Sequence, residues 1–369
     1  MRTRHILFSL SAAALACAAM ASGAAAATTY TFVDLGPGPN GKDAYGYGAS
    51  ATAQVGTYFF KSYSCGKDCS GKWYDAVAWT GPGSTPVDIT PPNYTFAWAY
   101  GAAGSVIVGT AVTNDGGYFG YPHAIVWKGS THQYQDINPN GNCGSCAPGS
   151  HAYGTDGKYI VGSGGSSLHA LLWNIAQLTS PVDLNPSGYY QSEAYAVHGG
   201  MQVGYAYSST TNTYHAMLWR GTAASAIDLT PSTVTTAFAT GLASTTEVGA
   251  GMLVNSSVDH AFLWHGTAAS LVDLHPSGFT DSIARATHGG IQVGYGHVAG
   301  TNVLHALLWK GSARSAIDLQ QFAPSTISSS QAYAVDPSGD IIGAALSAST
   351  NTWHAVMWVP TVRLVSKLQ

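Results

Sequence analysis

Hydrophobic positions in this chain come in short runs, not in helical stripes. In one representative stretch the runs are Ala194-Tyr-Ala-Val, Met201-Gln-Val-Gly-Tyr-Ala, His215-Ala-Met-Leu-Trp and Ala226-Ile-Asp-Leu. Between them stand His-Gly-Gly, a Ser/Thr/Asn run and Arg-Gly-Thr. Brief apolar runs bounded by Gly and small polar residues predict strands joined by tight turns. Beyond the N-terminal region no segment carries a 3.6-residue apolar period, so no helix is expected there.

The pattern repeats along the chain. A His-Ala-x-x-Trp pentapeptide begins at His123, His169, His215, His260, His305 and His354, and Asp75 heads a seventh copy, at intervals of 45 to 49 residues. The motif tryptophans are Trp79, Trp127, Trp173, Trp219, Trp264, Trp309 and Trp358. A Val-Gly or Ile-Gly pair ends at Gly56, Gly109, Gly162, Gly204, Gly249, Gly294 and Gly343. Each pair is preceded by a small-x-small triplet, centred on Tyr45, Trp98, Tyr153, Tyr195, Phe238, Arg285 and Tyr333. An Asp-Leu or Asp-Ile follows six of the tryptophans, at Asp88, Asp136, Asp183, Asp228, Asp273 and Asp318. Four strands in about 45 residues, with periodic Gly and aromatic markers, are the signature of a propeller blade. The expected fold is all-β, a seven-bladed β-propeller of four-stranded blades forming one domain over residues 28–369. Asp34-Leu35 precedes the first complete unit, and Lys367 stands in the Asp position of the last. The N-terminal strand is therefore expected to close the ring and supply the missing Asp, with Val362–Leu368 as the rival outer strand.

Alternation places His, the third residue and Trp of the pentapeptide on one strand face. A buried imidazole and indole each need a partner, and the following Asp is the obvious acceptor. The repeated His, Asp and Trp read as scaffold. The triplets suit the innermost strand, where blades crowd together and only Ala or Gly fits.

Residues 1–27 read as a signal peptide: Arg2 and Arg4, an apolar stretch from Ile6, then small residues to Ala27. A lipoprotein reading would acylate Cys17. The protein is expected to be secreted, periplasmic or at the cell surface, with no membrane span in the mature chain. Charged residues make up 9% of the chain and net charge is −4, so no basic patch suits nucleic acid. With 21 Tyr and 10 Trp the chain should fold rather than stay disordered.

The literal His260-Ala-Phe-Leu-Trp, the Gln-Val-Gly triplets and the Asp-Leu-x-Pro turns resemble the bacterial extracellular HAF repeat family. That resemblance implies an exported repeat protein without assigned enzymatic activity, and it transfers no catalytic residue. The first unit departs from it at Asp75.

In a propeller the b–c loops and d-to-a crossings share one face, and the long segments of units one to three fall there. Functional groups concentrate on such irregular loops. The first carries Tyr58, Phe59, Phe60, Tyr63, Trp73 and Tyr74, and the second Tyr118, Phe119 and Tyr121; these are the candidate ligand-binding residues. Cys65, Cys69, Cys143 and Cys146 occupy two of these insertions and read as disulfides, paired locally, with a four-cysteine zinc site as the alternative. No phosphate loop, nucleophile elbow or zinc-protease helix occurs. No catalytic residue, cofactor or metal is assigned. The expected function is a non-catalytic module binding a polysaccharide or surface protein. The alternative is a secreted carbohydrate-active hydrolase or lyase with carboxylates or His at the channel mouth.

Overall fold

The computed structural model describes residues 29–361 except 67–68, 82–83, 115–118, 130–132, 140–148 and 166. Seven antiparallel four-stranded sheets form the blades of a propeller. Each blade runs outward from the axis through strands a, b, c and d. In blade four these are Gln191–His198, Met201–Ser208, Thr213–Trp219 and Ile227–Asp228.

Blade seven takes strands a to c from the C-terminal repeat: Ile327–Val335, Ile341–Ser347 and Trp353–Pro360. Its strand d is Tyr30–Gly36, antiparallel to Trp353–Pro360. Asp34 accepts from His354 Nδ1 at 2.8 Å, so the N-terminal strand supplies the missing Asp. The rival closing segment, 362–368, lies outside the described residues, as does the expected signal peptide. Among the described residues no helix is long and apolar enough to cross a membrane.

The repeat markers have distinct physical causes. The seven motif tryptophans are buried to 0 or 1% exposure, between neighbouring blades. Three indoles donate to the preceding blade's carbonyl just after its Asp: Trp127 to Ile89, Trp173 to Ile137 and Trp358 to Leu319, at 2.7–3.1 Å. The Asp instead takes the histidine. In six blades His Nδ1 lies 2.7–2.8 Å from Asp Oδ2. A carboxylate can only accept, so Nδ1 carries the hydrogen. The other oxygen, Oδ1, accepts a backbone N–H two residues on, closing an Asx turn in every blade, for example at Asn138 and Thr230. His123 is fully buried, but the other five imidazoles are 14–33% exposed. They are rim staples more than core.

The Val-Gly pair answers a β-bulge. In every blade the a–b register shifts by one residue opposite the glycine, at Gly46/Gly48 in blade one and Ala194/Ala196 in blade four. A Cβ on any of the seven strand-b glycines would fall 1.8–1.9 Å from a strand-a carbonyl oxygen. No side chain fits in that gap.

Candidate functional site

The bulge decides which strand-a residue faces the axis. The bulged positions are Tyr47, Tyr100, Tyr153, Tyr195, Thr240, Arg285 and Tyr333. Sequence spacing centred the triplets of units one, two and five two residues earlier, on Tyr45, Trp98 and Phe238. Those three lie one tier nearer the insertion face, level with His151, Glu193, Ile283 and Gln331. The two tiers are confused because strand a in these units reads small-x-small-x-small: Ala44-Tyr-Gly-Tyr-Gly, Ala97-Trp-Ala-Tyr-Gly and Ala237-Phe-Ala-Thr-Gly.

Five tyrosines form a continuous arc around the axis. Ring centroids are 5.3 Å apart for Tyr333–Tyr47, 5.8 Å for Tyr47–Tyr100, 5.7 Å for Tyr100–Tyr153 and 5.2 Å for Tyr153–Tyr195. Arg285 continues the arc, its guanidinium carbon 5.8 Å from the Tyr333 ring. Thr240 interrupts it, with its hydroxyl donating to the Ala284 carbonyl of the next blade at 2.7 Å. Burial raises the pKa of Tyr47, Tyr100, Tyr153, Tyr195 and Tyr333 far above that of a free phenol, so all stay protonated.

A pocket of 670 Å³ lies along the axis. In all seven blades its lining falls at the ring and on the a–b turn side of it, through pairs such as Gly48-Ala49 and Ala196-Val197. It passes the ring towards the insertion face only beside Thr240, where Phe238, Ile283 and Asp259 join the wall. The blades crowd tightly here: a Cβ on Gly48 would come within 2.6 Å of the Tyr100 carbonyl.

The tier above is more polar. His151 stacks on Tyr153 at 5.6 Å, and its Nδ1 lies 3.1 Å from the Thr110 hydroxyl. Burial lowers its pKa to about 4, so its ring is neutral at pH 7. Tyr205 donates to Glu193 Oε1 at 2.9 Å. Among the described residues no group of three or more His, Cys, Asp or Glu is arranged to hold a metal ion.

The aromatic insertions are not loops. Strands b and c of blade one continue outward as one hairpin, Gln54–Gly66 paired with Cys69–Trp79, because Tyr, Phe, Thr and Trp favour extended backbone. Blade two does the same over Val106–Asn114 and Phe119–Lys128. This relocates the candidate residues. Tyr58 is buried against Leu35, Val77 and Trp79. Phe59 is buried too, edge-on to Tyr74 and beneath the Lys42 ammonium. Both support the hairpin rather than face a ligand. Trp73 and Tyr74 are half-buried and reach blade two, with Trp73 stacked on Phe96 at 6.3 Å and Tyr74 6.2 Å from Trp98. Phe96 and Trp98 meet edge-to-face at 5.0 Å. Tyr121 is exposed. Tyr118 and the side chains of Phe60, Tyr63 and Phe119 lie outside the described residues. So do Cys143, Cys146 and the side chains of Cys65 and Cys69, and with them both the disulfide and zinc expectations.

Sequence reasoning missed a serine that ties blade to blade. Ser150, Ser192 and Ser330 on strand a, and Ser282 just before it, accept through Oγ the N–H of the motif alanine in the preceding blade at 3.0–3.1 Å. The signal was present, since each stands two residues before the central alanine of its strand.

No known protein family profile matches this chain, and no curated protein matches it. Solved structures do. A mutant of puromycin hydrolase, crystallised with the ligand PGG, superposes with a TM-score of 0.50 at 11% identity, covering 83% of this chain. The chain spans 58% of that hydrolase's length. The nidogen/laminin complex (TM-score 0.41, 11% identity, 72% of this chain and 92% of that one) and a putative TolB from Agrobacterium tumefaciens (0.40, 10%, 90% and 99%) are more distant. At such identity the likeness to the hydrolase speaks for the propeller fold alone.

Proposed function

We propose that this protein is an exported, non-catalytic binding module that holds a polysaccharide through aromatic side chains on its insertion face. Export rests on the charged, apolar and small-residue pattern of residues 1–27 and on the resemblance to the HAF repeat family. The observation that carries the binding reading is the aromatic run from Trp73 through Phe96 and Trp98 to Tyr74, which joins the blade-one hairpin to strand a of blade two. The half-buried rings of Trp73, Tyr74 and Trp98 offer stacking area to sugar faces at little conformational cost. The mature protein is expected to be retained on a glycan array or on isolated cell-wall polysaccharide. Trp73→Ala/Tyr74→Ala should weaken that retention by about tenfold or more, with the melting temperature recorded to show that the blades remain folded. Undiminished retention in the folded variant rejects this site, and binding to a surface protein alone rejects the polysaccharide.

A secreted hydrolase or lyase is the competing reading. It is favoured by His151 and Glu193 standing on adjacent blades at the insertion-side mouth. Each, however, is held by a structural neighbour, Thr110 and Tyr205 respectively. Polysaccharide cleavage by the wild type that is abolished in Glu193→Gln would decide for the enzyme.

A further inference from the structure

The pocket behind the tyrosine arc differs chemically from the insertion face. Among the described residues, Arg285 is the one cationic side chain in its lining. Its guanidinium faces the Tyr333 ring and makes no hydrogen bond or ion pair with another described residue. The one carboxylate in the lining among the described residues, Asp259, forms no ion pair with it. Arginine side chains that line a cavity usually have a carboxylate or carbonyl to satisfy five donors. Here the side chain borders a volume large enough for one or two sugar rings.

Three further features narrow the ligand. Five tyrosines bring flat aromatic rings to the pocket wall, and the Tyr333 hydroxyl already donates to Gln331 Oε1. The Thr240 interruption opens the ring beside Arg285, so a substituent can pass between the two sides only at that point. Among the described residues, no carboxylate borders the a–b turn side of this lining.

We propose that the axial pocket binds a carboxylate-bearing sugar, such as the uronic acid unit of an acidic polysaccharide. The carboxylate pairs with Arg285 through the gap at Thr240, and the sugar ring lies against the tyrosine arc. A planar carboxylate matches the guanidinium fork, and the tyrosine rings offer flat faces to a sugar ring. The assignment rests on the reading of the protein as a polysaccharide binder and names the charge class of its ligand.

The test is isothermal titration of the mature, full-length protein with a galacturonate trisaccharide and with a neutral glucose trisaccharide. The wild type should bind the uronate and prefer it over the neutral sugar. Arg285→Gln should lose about ten- to a hundredfold in uronate affinity while its affinity for the neutral sugar stays unchanged. Thr240→Tyr, which fills the open place in the ring and keeps Arg285, should also weaken uronate binding. Equal uronate affinity in wild type and Arg285→Gln overturns the proposal, as does a wild type without preference for the charged sugar. If neutral polysaccharide binds and uronate does not, only the axial assignment falls. If a folded wild type binds neither, the polysaccharide reading falls with it.

Discussion

Blade one offers a direct measure of what the repeated histidine does. Asp75 stands where the other blades have His, so Asp75 and Asp88 bring two carboxylates to a place built for one imidazole and one carboxylate. Burial, and then the charge on Asp88, push the Asp75 pKa from 3.8 up to about 6, although the Thr90 and Tyr58 hydroxyls pull the other way. The folded state therefore binds this proton more tightly than the unfolded chain. The corresponding stability is fully present below pH 4 and is lost as pH rises to about 6 and beyond. Each pKa unit is worth about 1.4 kcal/mol, which sets a ceiling of about 3 kcal/mol. Asp88 is exposed and screened by water, so about 1 to 2 kcal/mol is the expected size. Asp75→Asn removes the titration and keeps the shape. In urea denaturation of the mature protein, Asp75→Asn should gain about 1 to 2 kcal/mol on the wild type between pH 4.5 and pH 7.5. Asp75→His should do at least as well at pH 7.5, because it restores the pair found in six blades. A wild-type-to-Asn difference that is the same at both pH values, or that shifts the other way, refutes the reasoning.

Other consequences follow from the same geometry. Trp127→Phe loses the hydrogen bond to the Ile89 carbonyl, whereas the Trp219 indole has no such partner, so thermal melts should show the first change costing about 1 kcal/mol more than the second. Gly204→Ala would drive a methyl to 1.8 Å from the Glu193 carbonyl, and circular dichroism melts should show a loss of about 2 kcal/mol or more. Asp34→Ala removes one exposed acceptor and should cost about 1 kcal/mol or less. Deleting residues 29–36 uncovers a whole strand edge, and size-exclusion chromatography should show association of the open rings.

Much of this architecture could be read before any coordinates, because a blade is a local object. His-Ala-x-x-Trp, Val-Gly and Asp-Leu each report one short strand, and seven equal spacings leave little choice of fold. Ring closure was legible for the same reason, since Asp34 has no tryptophan ahead of it and the last unit has no Asp. What escaped was register. Whether Tyr45 or Tyr47 reaches the axis depends on where strand a bulges, and the bulge is set by a contact with Gly56 on the neighbouring strand. The identity of the axial ring, with Thr240 and Arg285 as its exceptions, could not emerge from a one-dimensional search for small-x-small. Tyr58 and Phe59 were misplaced because an aromatic run longer than its homologous segments looks like an insertion whether it loops out or extends a hairpin.

The join between the first and last strands has a further implication. The Thr361 amide donates to the Thr29 carbonyl at 2.9 Å, and the two hydroxyls are 2.6 Å apart. The backbone is thus within a short peptide of being a covalent circle. A linker across that point should leave every sheet intact, and new ends could then be cut at any a–b turn, such as Gly199-Gly200 or Gly289-Gly290. Such circular permutants would fold to the same disc from a different starting blade. The strand translated earliest in the natural order is also the one that docks after all others exist, a delay that a permuted chain would remove.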